Sequence, residues 1–153
     1  MVEDGRLRSA VLLETDARGR PVRLEVATAG GLLTLHPDAS DGALHGNIVT
    51  PDGIRHLAFA WSPRHEVLVE GEPLVTVAAA GRLSASLPAG RSKDLPVVRV
   101  ARTLEVEAVV RRFERIDGAR WRVGAEGEGD EVAVDAEGLP DGLAGGAGWP
   151  LET

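Results

Sequence analysis

Cysteine is absent, which removes disulfides, thiolate nucleophiles and cysteine-ligated zinc or iron–sulfur centres from consideration. Tyrosine is absent too, and aromatic residues are 3% of the chain, with Phe59, Phe113, Trp61, Trp121 and Trp149 as the complete set. A core must therefore be built from Val, Leu, Ile and Ala. Lysine is nearly missing: Lys93 is the one lysine among seventeen basic residues. Twenty-four acidic residues outweigh them and give a net charge of −7. A negative field repels polyanions, and so few aromatics leave little for base stacking, which argues against nucleic acid as a partner. No apolar run reaches the length of a membrane span. The first residues, Met1 to Arg6, carry early acids with no signal-type apolar stretch after them, so cytoplasmic residence is expected.

What remains is ordinary globular material. At 153 residues, 43% hydrophobic and 27% charged, the chain is sized for one domain with a core of its own. We expect a single β-rich domain over residues 1–138. The stretch 139–153 is rich in Gly and Pro and reads as a carboxy-terminal tail, with Trp149 as its anchor.

Short β-branched runs alternate with Gly, Pro and Asp clusters, the pattern of an all-β fold. Strands are expected near Arg8–Glu14, Pro21–Ala27, Leu32–His36, Ala43–Thr50, Ile54–Trp61, Glu66–Val69, Leu74–Ala79, Leu83–Leu87, Leu95–Val100, Leu104–Arg115, Ala119–Ala125 and Glu131–Val134. Asp16-Ala17-Arg18-Gly19, Pro51-Asp52-Gly53, Glu70-Gly71-Glu72-Pro73 and Ile116-Asp117-Gly118 read as the turns of an antiparallel meander. Read as a three-residue loop, Pro51-Asp52-Gly53 pairs Ile48 with His56 and His45 with Phe59, putting His45 and His56 on opposite faces. Thr103–Ile116 is contested. It lines up Val106, Val109, Val110, Phe113 and Ile116 on one helical face, yet its β-branched residues and the following Asp-Gly favour a long, bent strand.

Histidines 36, 45, 56 and 65 could ligate a metal only if the fold gathered them, and their spacing gives no such signal, so no metal or other cofactor is expected. His65-Glu66 lacks the second histidine of a zinc-protease helix. Asp38-Ala39-Ser40-Asp41-Gly42 resembles the opening of a calcium loop without its closing glutamate, and reads as a turn. No serine sits in a Gly-x-Ser-x-Gly elbow and no Gly-rich loop precedes a Lys-Ser or Lys-Thr, so nothing marks an enzyme.

The most suggestive patch is Arg111-Arg112-Phe113-Glu114-Arg115 with Arg120-Trp121-Arg122. A three-residue loop with Gly118 at positive φ sets Phe113 opposite Trp121, Arg111 opposite Val123 and Glu114 opposite Arg120. An aromatic pair flanked by Arg111 and Arg122 could seat an anionic head beside an apolar chain. The plainer reading is a core aromatic pair with arginines lying along the outer face. Phe59 and Trp61, on another alternating strand, complete the aromatic candidates.

Leu83-Ser84-Ala85-Ser86-Leu87, Ser92-Lys93-Asp94-Leu95-Pro96-Val97-Val98-Arg99-Val100, the run from Val109 to Ile116, and Val132-Ala133-Val134-Asp135-Ala136-Glu137-Gly138-Leu139 resemble successive stretches of a bacterial family described as glycolipid-binding. The resemblance is confined to the carboxy-terminal half. The family's Thr-Asn-Thr-Leu-Pro-Ile-Arg-Arg type motif is met only at Leu95, Pro96, Val97 and Arg99, and its Tyr-rich strand carries Phe113 and Trp121 here. Members resemble lipoprotein-localisation carriers in fold, so the resemblance implies a curled antiparallel sheet, a β-roll or open half-barrel able to enclose an acyl chain, with Arg99 joining the candidate ligand contacts.

Two functions are compatible with this sequence. One is a non-catalytic binding protein that holds an amphiphilic, lipid-like ligand or glycolipid on the concave face of the sheet. The other is a structural or protein-interaction β-module, a homodimer for instance, with its sheet packed solid and no small-molecule ligand. A pocket of roughly 300–1,000 Å³ would favour the first.

Overall fold

The computed structural model describes residues 2–3, 6–7 and 9–135. The expected tail, the domain boundary at 138 and Trp149 lie outside the described residues. A two-stranded ladder, β1 (Val2–Glu3) with β2 (Arg6–Leu7), precedes two five-stranded sheets. Strands make up 57% of the structure against one short helix, and one sheet curls into a half-barrel, so the fold is all-β with a curled sheet as expected.

The first sheet is an antiparallel meander: β3 (Ser9–Thr15), β4 (Pro21–Thr28), β5 (Gly31–Asp38), β6 (Ala43–Thr50) and β7 (Gly53–Ala60). Alternation sends Leu24, Val26, Leu33, Leu35, Leu44 and Ile48 to a buried inner face. Glycine at 46 leaves that face room for the side chain of Leu35, which an added Cβ would strike.

The second sheet has the order β12-β11-β10-β9-β8, built from β8 (Glu66–Val69), β9 (Arg91–Val100), β10 (Val106–Arg115), β11 (Arg120–Gly124) and β12 (Asp130–Ala133). The contested segment is a strand: β10 pairs with β9 over its whole length, Val106 with Val100 through Arg115 with Arg91.

Four expectations are corrected. First, Leu74–Ala79 is not a strand but part of α1 (Pro73–Leu83), and the expected strand Leu83–Leu87 is the last residue of that helix with the turn that follows it. Valines at 75 and 77 mimic a strand, but Pro73 is preset for the first helical turn, and an Ala-rich helix buried on several sides needs no amphipathic stripe. Second, Glu70-Gly71-Glu72-Pro73 therefore closes no hairpin. It leads into α1, which crosses over so that β8 lies parallel to β9, Glu66 beside Val97 through Val69 beside Val100.

Third, the β6–β7 loop has two residues, since Thr50 pairs with Gly53. The one-residue slip pairs Asn47 with His56 and Leu44 with Phe59, which moves His45 and His56 to the same face. Fourth, the β10–β11 pairing is displaced by two residues: Phe113 faces Val123, Glu114 faces Arg122 and Arg115 faces Trp121. Gly118 takes no positive φ. Instead the Asp117 side chain accepts the Ala119 and Arg120 N–H groups and lengthens the loop. A two-residue shift preserves faces, so Phe113 and Trp121 still share one.

Packing makes three layers: first sheet, second sheet, helix. Val67, Val69, Val98 and Val100 meet the inner face of the first sheet. On the other face Leu95, Val97, Phe113, Trp121, Val123, Val132 and Val134 join Val77, Ala79, Ala80 and Leu83 of α1. Glu66 of β8, fully buried, forms an ion pair with Arg82 of α1 across this inner layer.

Candidate functional site

Along β9 and β10 the helix-facing positions are Leu95, Val97 and Arg99, then Glu107, Val109, Arg111 and Phe113. The helix covers the end of this face around Phe113 and Trp121 and leaves the other end open. There a cleft of about 600 Å³ lies among Leu68, the loop Glu70-Gly71-Glu72, Thr76 of α1, Arg99, Arg111, Val123 and Val132. Its far wall is the β11–β12 turn, where backbone passes so close that a Cβ at Gly124 would meet the Glu128 carbonyl at 2.3 Å and one at Gly129 the Val123 carbonyl at 2.6 Å. Side chains are excluded there, and the cleft gains a polar backbone wall.

The two arginines of the cleft differ in their commitments. Arg99 is tied by its Nη1 to Glu107 at 2.8 Å and by its Nη2 to Glu70 at 3.5 Å. Arg111 is half-buried, has no carboxylate partner among the described residues, and donates only to the neighbouring Val110 carbonyl at 3.1 Å. Several carboxylates on the rim are already engaged: Glu72 accepts the Ser9 hydroxyl at 2.7 Å, Glu131 takes Arg122 at 2.6 Å, and Glu70 also accepts the Arg102 N–H at 3.2 Å. The arrangement offers one uncommitted guanidinium above an apolar floor of Leu68, Val123 and Val132. A second cleft of about 330 Å³, lined by Val26, Thr28, Val69 and Arg102 among others, opens between the two sheets on the other side of the Glu70-Gly71-Glu72 loop.

The structure brings Arg99 and Arg111 together in the cleft and sends the other sequence candidates elsewhere. Phe113 and Trp121 are both fully buried in the layer beneath α1, with the Arg115 guanidinium 5.6 Å from the centre of the Trp121 ring. Arg115 also donates to the Ser84 and Leu87 carbonyls, each at 2.9 Å, fastening the turn after α1. Arg122 lies on the opposite face between Glu114 and Glu131, which hold its guanidinium firmly protonated, the Glu131 hydrogen bond first among the causes. Phe59 lies on β7 of the first sheet and Trp61 just past its end. They pack against its core, and Trp61 sits 5.2 Å from the ring of His65, whose pKa burial lowers. Leu68, Thr76, Val123 and Val132 were not candidates, because the cleft exists only where a helix stops short of covering the sheet, and that segment reads as strand.

No protein-family model matches this chain, and no curated protein matches it in sequence. In structure it is similar to a DUF1089 family protein from Pseudomonas aeruginosa: TM-score 0.56, 16% identity, over 92% of this chain and 91% of the other. At that identity the likeness shows a shared fold. Among the described residues no helix is long and apolar enough to cross a membrane.

Proposed function

We propose that this protein is a binding protein for an amphiphilic, lipid-like ligand with an anionic head, held in the cleft that α1 leaves open on the second sheet. The observation that carries the reading is Arg111: a half-buried arginine whose guanidinium has no carboxylate partner among the described residues, at the edge of a cleft whose floor is Leu68, Val123 and Val132. Its volume of about 600 Å³ falls in the range of small-molecule sites. Arg99, held in place by Glu107 and Glu70, places a second guanidinium on the same wall, its charge already balanced by those carboxylates. The face carries Leu95, Val97 and Arg99, three of the four motif positions at which the glycolipid-binding resemblance is met, and Arg99 is the one that lines the cleft.

A single-chain alkyl phosphate, dodecyl phosphate, is the probe. Binding followed by calorimetry should weaken about tenfold or more in Arg111→Ala, as expected on losing a charge-assisted hydrogen bond of roughly 1.5–3 kcal/mol. It should weaken with rising salt in the wild type and less so in the variant. Absence of binding, or equal affinity in both proteins, would remove the reading.

One feature favours the alternative interaction module. β7 is an eight-residue edge strand, and Leu32, Val49 and Ile54 form an exposed apolar row across the outer face up to that edge. Native mass spectrometry of protein purified without detergent separates the two: co-purified lipid supports the carrier, and a ligand-free dimer supports the module.

A further inference from the structure

We propose that the solvent-facing side of the β5–β6 hairpin is a binding site for a zinc-class divalent ion, with His36, His45, Asp38 and Asp41 as ligands. The register is the starting point. His36 and His45 are directly opposed across β5 and β6, with ring centroids 6.0 Å apart. Two imidazoles on one metal are separated by a similar distance, since each Zn–N bond is roughly 2.0–2.1 Å and each ring extends beyond it. Asp38 is the last residue of β5, and Asp41 comes from the turn that joins the same two strands. One ligand atom from each of Asp38, Asp41 and His45 lies within 4.8 Å of the others, and His45 Nε2 is 2.6 Å from Asp41 Oδ2. Tetrahedral zinc holds its ligand atoms roughly 3.3–3.5 Å apart, so side-chain torsions alone can complete the contraction.

The carboxylates are oriented before any ion arrives. Asp38 Oδ1 accepts the Ser40 N–H at 2.8 Å and the Ser40 hydroxyl at 2.6 Å, and Asp41 Oδ1 accepts the Ala43 N–H at 2.9 Å. Such outer partners hold a ligand's rotamer and turn its second oxygen outward. Turn formation and the Asp41 to His45 bond account for three of the four side chains. His36 faces both Asp38 and His45, and a divalent ion would join it to them. Two imidazoles with two carboxylates select zinc, nickel or copper over calcium or magnesium, which prefer all-oxygen sets. The site lies on the outer face of the first sheet, away from the core, so the ion would add to a fold already closed without it.

The test is calorimetric titration of metal-free protein with Zn²⁺, with Ca²⁺ as a parallel arm. One equivalent of Zn²⁺ should bind and Ca²⁺ should not compete. His36→Ala, His45→Ala and Asp41→Asn should each weaken binding about tenfold or more, with circular dichroism confirming that each variant folds. His56→Ala is the internal control. His56 shares the face but is hydrogen-bonded to Asn47 one row away, so its loss should leave zinc affinity unchanged. No stoichiometric binding overturns the site. So does equal sensitivity to His56→Ala, which would mark non-specific imidazole capture, or a Ca²⁺ preference, which would leave the histidines without a part.

Discussion

The two sheets solve the same problem with different coverage. The first is packed on one face only: its inner side chains are buried, while its outer face carries Glu25, Thr34, His36, His45, Asn47 and His56 alongside a row of exposed aliphatics. The second is packed on both faces where β8 and β9 run, with the first sheet on one side and α1 on the other. Consequently β9 buries Val97 and Val98 in succession, and β8 buries Glu66 and Val67 in succession. A strand covered twice has no solvent face to alternate with, and its sequence loses the two-residue period. The candidate cleft follows from incomplete double coverage, since the first turn of α1 only borders the cleft and does not cover Arg99 and Arg111. The candidate metal site follows from single coverage, since only an uncovered face can leave two histidines opposed in water.

The sharpest way to break this comparison is to empty matched positions in each region. Trp121→Ala should cost near the upper end of the roughly 3–5 kcal/mol usual for a buried aromatic, because the ring is fully enclosed between sheet and helix. Phe59→Ala, on a half-covered edge strand, should cost clearly less. Urea unfolding of both variants measures the difference. Equal losses would mean that the first sheet is as deeply packed as the second.

A somewhat smaller loss is expected from the ion pair inside the doubly covered layer. Arg82→Met leaves Glu66 buried without its partner, a change of about 3–5 kcal/mol in buried pairs, here toward the lower end because Arg82 keeps 17% exposure and water can reach the gap. Burial of the Arg82 guanidinium already lowers its pKa, so the pair bears a desolvation cost in the native state. Replacing both residues, Glu66→Leu with Arg82→Met, should recover most of the loss. If the double variant is as unstable as the single one, the pair contributes specific bonding beyond charge neutralisation.

The sequence carried the singly covered sheet well and the doubly covered one in part. Alternation at Leu24, Val26, Leu33 and Leu35 is visible in the residues themselves, and the strands of the first sheet fall within a residue or two of expectation. Its one error was in a turn: Pro51-Asp52-Gly53 accommodates a two-residue loop, and that single step decided which histidines share a face. The crossover was hidden because Val75 and Val77 alternate like a strand, and because a helix buried from several directions shows no polar stripe. Of the candidate ligand residues, Arg111 was legible from the face it shares with Phe113 on its strand, whereas Arg99 entered only through the family resemblance. The cleft around them depends on where α1 starts and how it lies on the sheet, a tertiary fact that no local pattern encodes.

The smallest effect concerns the turns, where the two regions use the same device. In the first sheet Asp16 Oδ1 accepts the Arg18 and Arg20 N–H groups at 2.8 and 2.9 Å, and Oδ2 takes the Arg20 Nε at 2.9 Å. In the second, Asp117 Oδ1 accepts the Ala119 and Arg120 N–H groups at 3.0 and 2.8 Å, and Oδ2 takes the Arg120 Nε at 2.7 Å. Both carboxyls are held below their usual value of 3.8, chiefly by the backbone N–H of the arginine in each case, and Asp117 falls to about 2. A carboxyl whose folded pKa is depressed contributes stability above its unfolded pKa and loses it as pH falls through the folded one. Asp117→Asn should therefore be less stable than wild type at neutral pH, with the gap narrowing from 3.8 toward about 2 and closing below. Asp16→Asn should show the same sign. Urea midpoints across a pH series measure both, and a gap independent of pH would mean that the amide replaces the carboxylate in these turns and that charge plays no part in closing them.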